Sequence, residues 1–390
     1  MKIVVAQDSL YAAGGVDSYL RSVVPALEAR GHTIRILYNR CASTNGTPAG
    51  AEAVGLEEIG VDAAFAALRS FCPDVCFSHN MSPLEIDRRL VSHWPVVKMM
   101  HGYFGTCISG LKSHAFPGRC ACDRALGPAC LALYGLRRCG RLDPVEMIQG
   151  YRWARAQRGL FDDYAAIVVA SQHMGEEYER HGVSLGRLEV LPLFSAVSAD
   201  HSIRTGTDVD TVLFAGRMTA IKGGDVAVEG IAQAANLTAC PLRAVFAGDG
   251  PQRVEWQALA AKLGVNAEFP GWLSGDALVS AFRDASMIVV PSLWPEPFGL
   301  VGLEAGTFGV PAIAFDVGGV REWLDPHRSG VLVKPAEGAF GLAVAIASLA
   351  DNPETRERLG EGARAIASHL SLESHVDRLE AVLRRAAGVS

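Results

Sequence analysis

Two carboxylates eight positions apart, Glu296 and Glu304, sit in the segment EPFGLVGLEAG. The pattern predicts a helix opened by Phe298, Gly299 and Leu300, whose unpaired backbone N–H groups and positive dipole end attract an anionic group. Glu296 then falls in the loop before the helix, and Glu304 lies about two turns along it. Val301, Leu303 and Ala305 surround Glu304 with apolar side chains. An elongated ligand contacted by both carboxylates is the expectation, against the plainer one of a charged helix end.

Further candidates stand upstream. A strand pattern over 211–215 ends in Gly216 and Arg217, and Lys222, Gly223 and Gly224 follow a short loop. Two cations at a strand end before a helix start form a diphosphate receptor, with Arg217 able to bind in bidentate fashion and Lys222 acting as a point charge. Together they would stabilise a phosphate leaving group. The next strand ends in Gly248, Asp249, Gly250 and Pro251, and a later one in Asp316, Val317, Gly318 and Gly319. With Glu296 following the strand pattern over 287–290, four strand ends of one half carry polar or glycine residues, an agreement stronger than any single motif. In the other half, the strand 96–100 ends in His101 and Gly102, where a histidine can donate to a hydroxyl or a developing charge. Gly14 and Gly15 follow the first strand, where glycines let the backbone approach a ligand closely.

The elements that must position these residues alternate short apolar runs with helical patterns, as parallel sheets covered by helices require. Strands are expected at 3–6, 33–37, 75–78, 96–100 and 167–170, then at 211–215, 243–247, 267–270, 287–290, 312–315 and 331–333. With 390 residues the chain exceeds the size of one core and predicts two domains, 1–195 and 209–390, joined by a polar linker over 196–208. The terminal helical pattern is free to pack on either. Ligands in such sheets lie beyond the carboxyl ends of the strands, so a cleft between two sheets is expected.

Composition narrows the classes. Hydrophobic residues at 49%, charged residues at 20% and a net charge of −6 fit a globular enzyme and give no global attraction to nucleic acid. No apolar run is long enough to span a bilayer, and the N-terminus lacks a signal-peptide pattern, so a cytoplasmic address is expected.

At Gly14-Gly15, His101-Gly102, Ser171, GRMTAIKGG from Gly216, GDGP from Gly248 and the paired glutamates, the chain resembles the retaining glycosyltransferases of family 4, which have the GT-B fold. That resemblance covers nearly the whole chain and is stronger in its second half. It implies an α/β fold of two facing Rossmann-like doubly wound domains with an interdomain cleft. It implies a nucleotide-diphosphate sugar as donor, a UDP-sugar among the candidates, and a hydroxyl acceptor on a glycan, glycolipid or small molecule, as in polysaccharide biosynthesis. Arg217 and Lys222 would hold the diphosphate, with Gly216 and Gly248 beside it and Gly14 and Gly15 approaching it from the first domain. Glu304 would hold the ribose, and Glu296 with the amides of Phe298, Gly299 and Leu300 the transferred sugar, which His101 would meet from the other side. Front-face displacement follows, with no cofactor or metal needed for catalysis. The alternatives are a sugar-nucleotide epimerase of the same fold and a non-catalytic sugar-nucleotide-binding protein.

One segment departs from that pattern. Cys107, Cys120, Cys122, Cys130 and Cys139, five of the nine cysteines, fall within 33 residues. A structural zinc on four thiolates, a redox pair and free thiols all fit, although the spacings do not match a paired C-x2-C site. From Lys112 to Arg158 nine basic residues face three acidic ones in a chain of net charge −6. An anionic acceptor, peripheral contact with the inner membrane surface, or a plain solvated face would each account for this excess.

Overall fold

The computed structural model describes residues 1–10, 15–41, 52–197 and 209–389. Gly14 and most of the expected linker, 198–208, lie outside the described residues. Two compact units emerge: one of Met1–Lys112, Asp123–Pro192 and Leu372–Ser390, the other of Ser113–Cys122 and Leu193–Ser371. The strands in chain order are β1 (Lys2–Leu10), β2 (Thr33–Cys41), β3 (Glu52–Gly55), β4 (Val75–Ser78), β5 (Val96–Met100), β6 (Ser113–His114), β7 (Cys120–Ala121), β8 (Ala166–Val169), β9 (Leu188–Val190), β10 (Asp210–Ala215), β11 (Leu242–Ala247), β12 (Ala267–Gly271), β13 (Met287–Val290), β14 (Ala312–Phe315) and β15 (Gly330–Val333).

In the first unit a seven-stranded parallel sheet runs β3-β2-β1-β4-β5-β8-β9. Its central strands, VCFS, VVKMM and AIVV, are buried at every position, the signature of a sheet covered on both faces. The terminal helix Leu372–Ala387 belongs to this unit and buries Val376, Leu379, Val382 and Leu383. His375 on that helix accepts from or donates to Tyr19 Oη through Nε2 at 2.8 Å, and its Nδ1 donates to the Pro192 carbonyl at 2.8 Å. A carbonyl only accepts, so Nδ1 carries the proton and Nε2 accepts from Tyr19.

In the second unit a six-stranded parallel sheet runs β12-β11-β10-β13-β14-β15. Its core gathers Phe214, Phe246, Trp256, Ile313, Phe315, Leu342 and Ile346. The chain winds outward from β10 to β11 and β12, then returns to the other side of β10 for β13. That reversal makes the β10/β13 edge a topological switch point, where neighbouring strand-end loops diverge and leave a crevice.

Candidate functional site

The two loops at this switch point carry the charged candidates of the second unit. After β10, a short 3-10 turn, Ala220–Lys222, delivers Lys222, and after β13 the loop Pro291–Gly299 delivers Glu296. The loops approach closely at Gly223, whose φ of +66° favours glycine and where a Cβ would lie 2.0 Å from the Pro291 carbonyl oxygen. Lys222 Nζ then reaches Glu296 Oε1 at 2.6 Å and lies 5.7 Å from the Trp294 ring centroid. Ser292, 1% exposed, donates to the same Oε1 at 2.5 Å. Both side-chain partners therefore hold one oxygen of Glu296, and Oε2 is left as an acceptor within a carboxylate that is only 3% exposed.

The helix after this loop runs Leu300–Thr307, with Gly299 as a left-handed cap at φ +88°. Phe298 thus precedes the helix, which begins at Leu300. Among the described residues nothing accepts from the backbone N–H groups of Phe298, Gly299 and Leu300. Their consecutive free donors beside a helix start form an anion- or hydroxyl-binding concavity. The segment after β14 fixes its shape: Gly319 N donates to the Glu296 carbonyl at 2.7 Å, and Trp323 Nε1 donates to the Phe298 carbonyl at 2.7 Å. The Trp323 ring fills the space over Gly302, where a Cβ would lie 2.0 Å from it.

Glu304 occupies the same helix, half-buried, with no side-chain partner among the described residues. Burial lifts its pKa from 4.5 to about 7. A carboxylate in apolar surroundings without a protein donor is poised for one from a ligand. Arg217 stands exposed at the end of β10, and no carboxylate engages its guanidinium among the described residues. Gly216 N donates to Ala247 O at 2.9 Å and Gly248 N to Gly271 O at 2.8 Å, which carries the sheet's pairing past the strand ends and sets Arg217 beside the Gly248-Asp249 turn. Asp249 is engaged locally: its Oδ1 accepts from the Gly250 N–H at 2.7 Å, and its Oδ2 faces Arg253 at 3.4 Å.

His101 and Gly15 belong to the first unit. Gly15 opens the helix Gly15–Ala29 and is exposed. His101 Nε2 meets His79 Nδ1 at 2.8 Å, joining the ends of neighbouring β5 and β4. Beneath them Lys98 Nζ pairs with Asp87 at 2.6 Å, with both side chains at most 4% exposed. Lys98 also donates to Ser78 Oγ and to the His79 carbonyl, while Ser78 and Tyr164 donate to Asp87 at 2.7 and 3.0 Å. Burial, then the Lys98 charge, lowers the His101 pKa from 6.5 to about 4, and burial, then His101 and Lys98, lower that of His79 well below its ordinary value. Both rings are neutral at pH 7. Ser171 caps the helix Gln172–Arg180 by accepting from Met174 N at 3.3 Å, a structural place for that motif residue.

Sequence reasoning missed Ser292, Trp323, His79 and the Asp87–Lys98 pair. His79 was within reach, since it ends the strand before the one that ends in His101. Nothing local marks Trp323, which acts through a carbonyl 25 positions away. For the cysteine segment, no three His, Cys, Asp or Glu side chains come together to hold a metal ion among the described residues. Cys120 Sγ instead lies 3.4 Å from His114 Nε2 across the β6–β7 hairpin. Lys112 leaves the basic surface: its ammonium, 3% exposed, pairs with Glu177 at 2.5 Å and donates to the Arg124 carbonyl.

The two Rossmann-like units and their strand order are those of the GT-B fold, and solved structures share it. A sucrose-phosphate synthase from Thermosynechococcus elongatus superposes with a TM-score of 0.73 over all of both chains at 20% identity. The Anabaena protein HepE, solved in complex with UDP-glucose, superposes with a TM-score of 0.69 over 99% of this chain and all of its own at 17% identity. The family model for glycosyl transferases group 1 matches residues 200–366. A D-inositol 3-phosphate glycosyltransferase from Acidothermus cellulolyticus is 35% identical over 334 residues, 80% of this chain and 67% of its own length. The chain belongs to the group 1 glycosyl transferases. An alpha-D-kanosaminyltransferase from Streptomyces kanamyceticus is 33% identical over 45% of this chain and 46% of its own length. The chain thus spans about half or less of the length of several of the curated relatives it matches, 34 to 46% in three of them.

Proposed function

We propose that this chain is a retaining glycosyltransferase of family 4 that moves a sugar from a nucleotide-diphosphate sugar to a hydroxyl acceptor. The observation that carries this reading is the Lys222–Glu296 pair at the switch point, with three backbone amides and the Arg217 guanidinium that no group among the described residues engages. In this reading Arg217 and Lys222 take the diphosphate, Glu304 the ribose, and Glu296 Oε2 with the amides of Phe298, Gly299 and Leu300 the hydroxyls of the sugar. The neutral His101 meets the sugar as a hydrogen-bonding partner rather than as a cation. Kanosaminyl transfer by one relative and UDP-glucose in one structural neighbour are in keeping with such a donor.

Transfer proceeds by front-face displacement. The bond from the anomeric carbon to the diphosphate oxygen breaks, the acceptor oxygen bonds to that carbon from the same side, and its proton passes to the departing phosphate. Arg217 and Lys222 stabilise the charge that builds on the leaving group, so the protein contributes orientation and electrostatics and needs no divalent metal or protein nucleophile. Incubation with a panel of nucleotide sugars tests the reading through nucleotide diphosphate release. Slow release by hydrolysis, accelerated by an acceptor and unaffected by EDTA, is expected. Interconversion of sugars without release would replace transfer by epimerisation, and binding without either reaction would leave a sugar-nucleotide-binding protein.

A further inference from the structure

The basic excess of the first unit concentrates on one helical hairpin, and the structure adds a feature that charge alone did not reveal. The helices Pro128–Arg137 and Pro144–Arg158 are joined by residues 138–143. At that turn Leu136 is 66% exposed, Leu142 66%, Val145 62% and Ile148 44%. Four large aliphatic side chains within 13 residues are more than the scattered exposed leucine of an ordinary surface. Val145 and Ile148 are three positions apart on the second helix, so they share a face, and Arg152 and Arg155 continue the same stripe four and seven positions beyond Ile148.

The charges around the turn are unbalanced. Asp143 is consumed as the helix cap, accepting from Val145 N and Glu146 N, and Glu146 pairs with Arg141 at 2.9 Å. Arg137, Arg138, Arg152 and Arg155 have no carboxylate partner among the described residues, and Arg155 lies 6.0 Å from the Tyr151 ring centroid. The turn of the hairpin therefore interleaves exposed aliphatic side chains with arginines, and Arg152 and Arg155 continue the positive charge along the second helix.

We propose that this hairpin docks on an anionic lipid bilayer, with Leu136, Leu142, Val145 and Ile148 entering the headgroup boundary and the unpaired arginines meeting acidic headgroups. A soluble anionic acceptor would use the arginines and leave the aliphatic side chains in water. A bilayer uses both, through burial of apolar area and attraction to its negative surface potential. No helix among the described residues is long and apolar enough to cross a membrane, so this contact is peripheral. The consequence is a first unit held beside lipid, where a lipid-linked hydroxyl would be concentrated.

Sedimentation with vesicles tests this without reference to sugar transfer. The full chain is expected to pellet with vesicles of phosphatidylcholine and phosphatidylglycerol, and to remain in solution with phosphatidylcholine alone. Arg137→Glu with Arg138→Glu should weaken the partition by about tenfold or more, since each basic residue near the surface contributes appreciably. Leu142→Ser with Val145→Ser should weaken it several-fold, and in high salt the wild-type chain should retain more binding than this variant. All four positions are on or beside the exposed turn, and circular dichroism confirms folding of each variant. Equal partition to both vesicle types, no pelleting with the anionic ones, or unchanged binding of the serine variant would overturn the proposal. In the last case the arginines act as a simple anion-binding face.

Discussion

In the first unit the ends of β4 and β5 carry His79 and His101, joined ring to ring above the buried Asp87–Lys98 pair. In the second, the loops after β10 and β13 carry Lys222 and Glu296, joined by an ion pair whose cation is 29% exposed. The two sheets share a strand order, the first strand of each unit being flanked by its second and fourth sequential partners. The histidines, however, end the fourth and fifth strands of their unit, whereas Lys222 and Glu296 follow the first and fourth of theirs. The contents differ in purpose. The first pair of strand ends is underlain by a charge pair taken fully out of water, and its imidazoles are kept neutral. The second leaves a cation, a carboxylate oxygen and three amides open to a ligand. A shared topology fixes where a crevice opens, while the side chains at its rim decide whether charge is spent on holding the fold or kept for binding.

The contrast predicts opposite responses to breaking each pair. Asp87→Ala strands the Lys98 ammonium among buried groups, and should cost about 3–5 kcal/mol of stability. Denaturant unfolding measures it, and a loss under about 1 kcal/mol would show that the pair is not what holds the first unit's strand ends. Lys222→Ala should leave the fold largely intact and lower the transfer rate by about 10²–10³-fold, the usual cost of removing one preorganised stabiliser of developing charge. Near-normal turnover in this variant would defeat the role given to Lys222.

A smaller effect isolates the wedge between Trp323 and Gly302. Gly302→Ala drives a methyl into the indole ring and should destabilise by roughly 1–3 kcal/mol, although alanine is otherwise the better helix former. With Trp323→Leu as background the same substitution should become neutral or stabilising, and thermal unfolding of the four combinations gives the coupling. Additive effects would mean that the ring does not hold that helix.

The smallest expected effect concerns Glu304, whose pKa of about 7 places its titration in the working range. Hydroxyl donors prefer the carboxylate, so donor affinity should rise by up to about tenfold between pH 6 and 8. Glu304→Gln should flatten that profile. The folded pKa lies above the unfolded one of 4.5, so Glu304 disfavours the folded state increasingly as pH rises from that value through 7. The glutamine variant should accordingly unfold a few degrees higher at pH 8 while binding donor less well. A pH-independent affinity in the wild-type chain would remove Glu304 from the ligand contacts.

Much of the frame was legible in the sequence. Runs such as VCFS, MIVV and AIAF are too short and too apolar for anything but central parallel strands, and their structural bounds coincide with the expected ones. The edge strands Glu52–Gly55 and Leu188–Val190 were not legible, because each is partly exposed and carries no continuous apolar run. Gly216, Arg217, Lys222, Glu296 and Glu304 stood out because strand-end loops and helix starts impose local spacing. Nothing local announced that Lys112 would be buried against Glu177 across 65 positions, and it read as surface charge.

By itself, the sequence determined the two α/β halves and the residue types offered at their strand ends, because periodicity and turn chemistry act over a few neighbouring positions. Only the tertiary structure decided how those residues are paired. It gave one oxygen of Glu296 to Ser292 and Lys222 and left the other open. It set Trp323 over Gly302, and it placed the terminal helix against the first unit rather than the second. The reason is physical: a hydrogen bond or a close packing contact is settled at about 3 to 4 Å, between groups that the chain separates by tens or hundreds of residues.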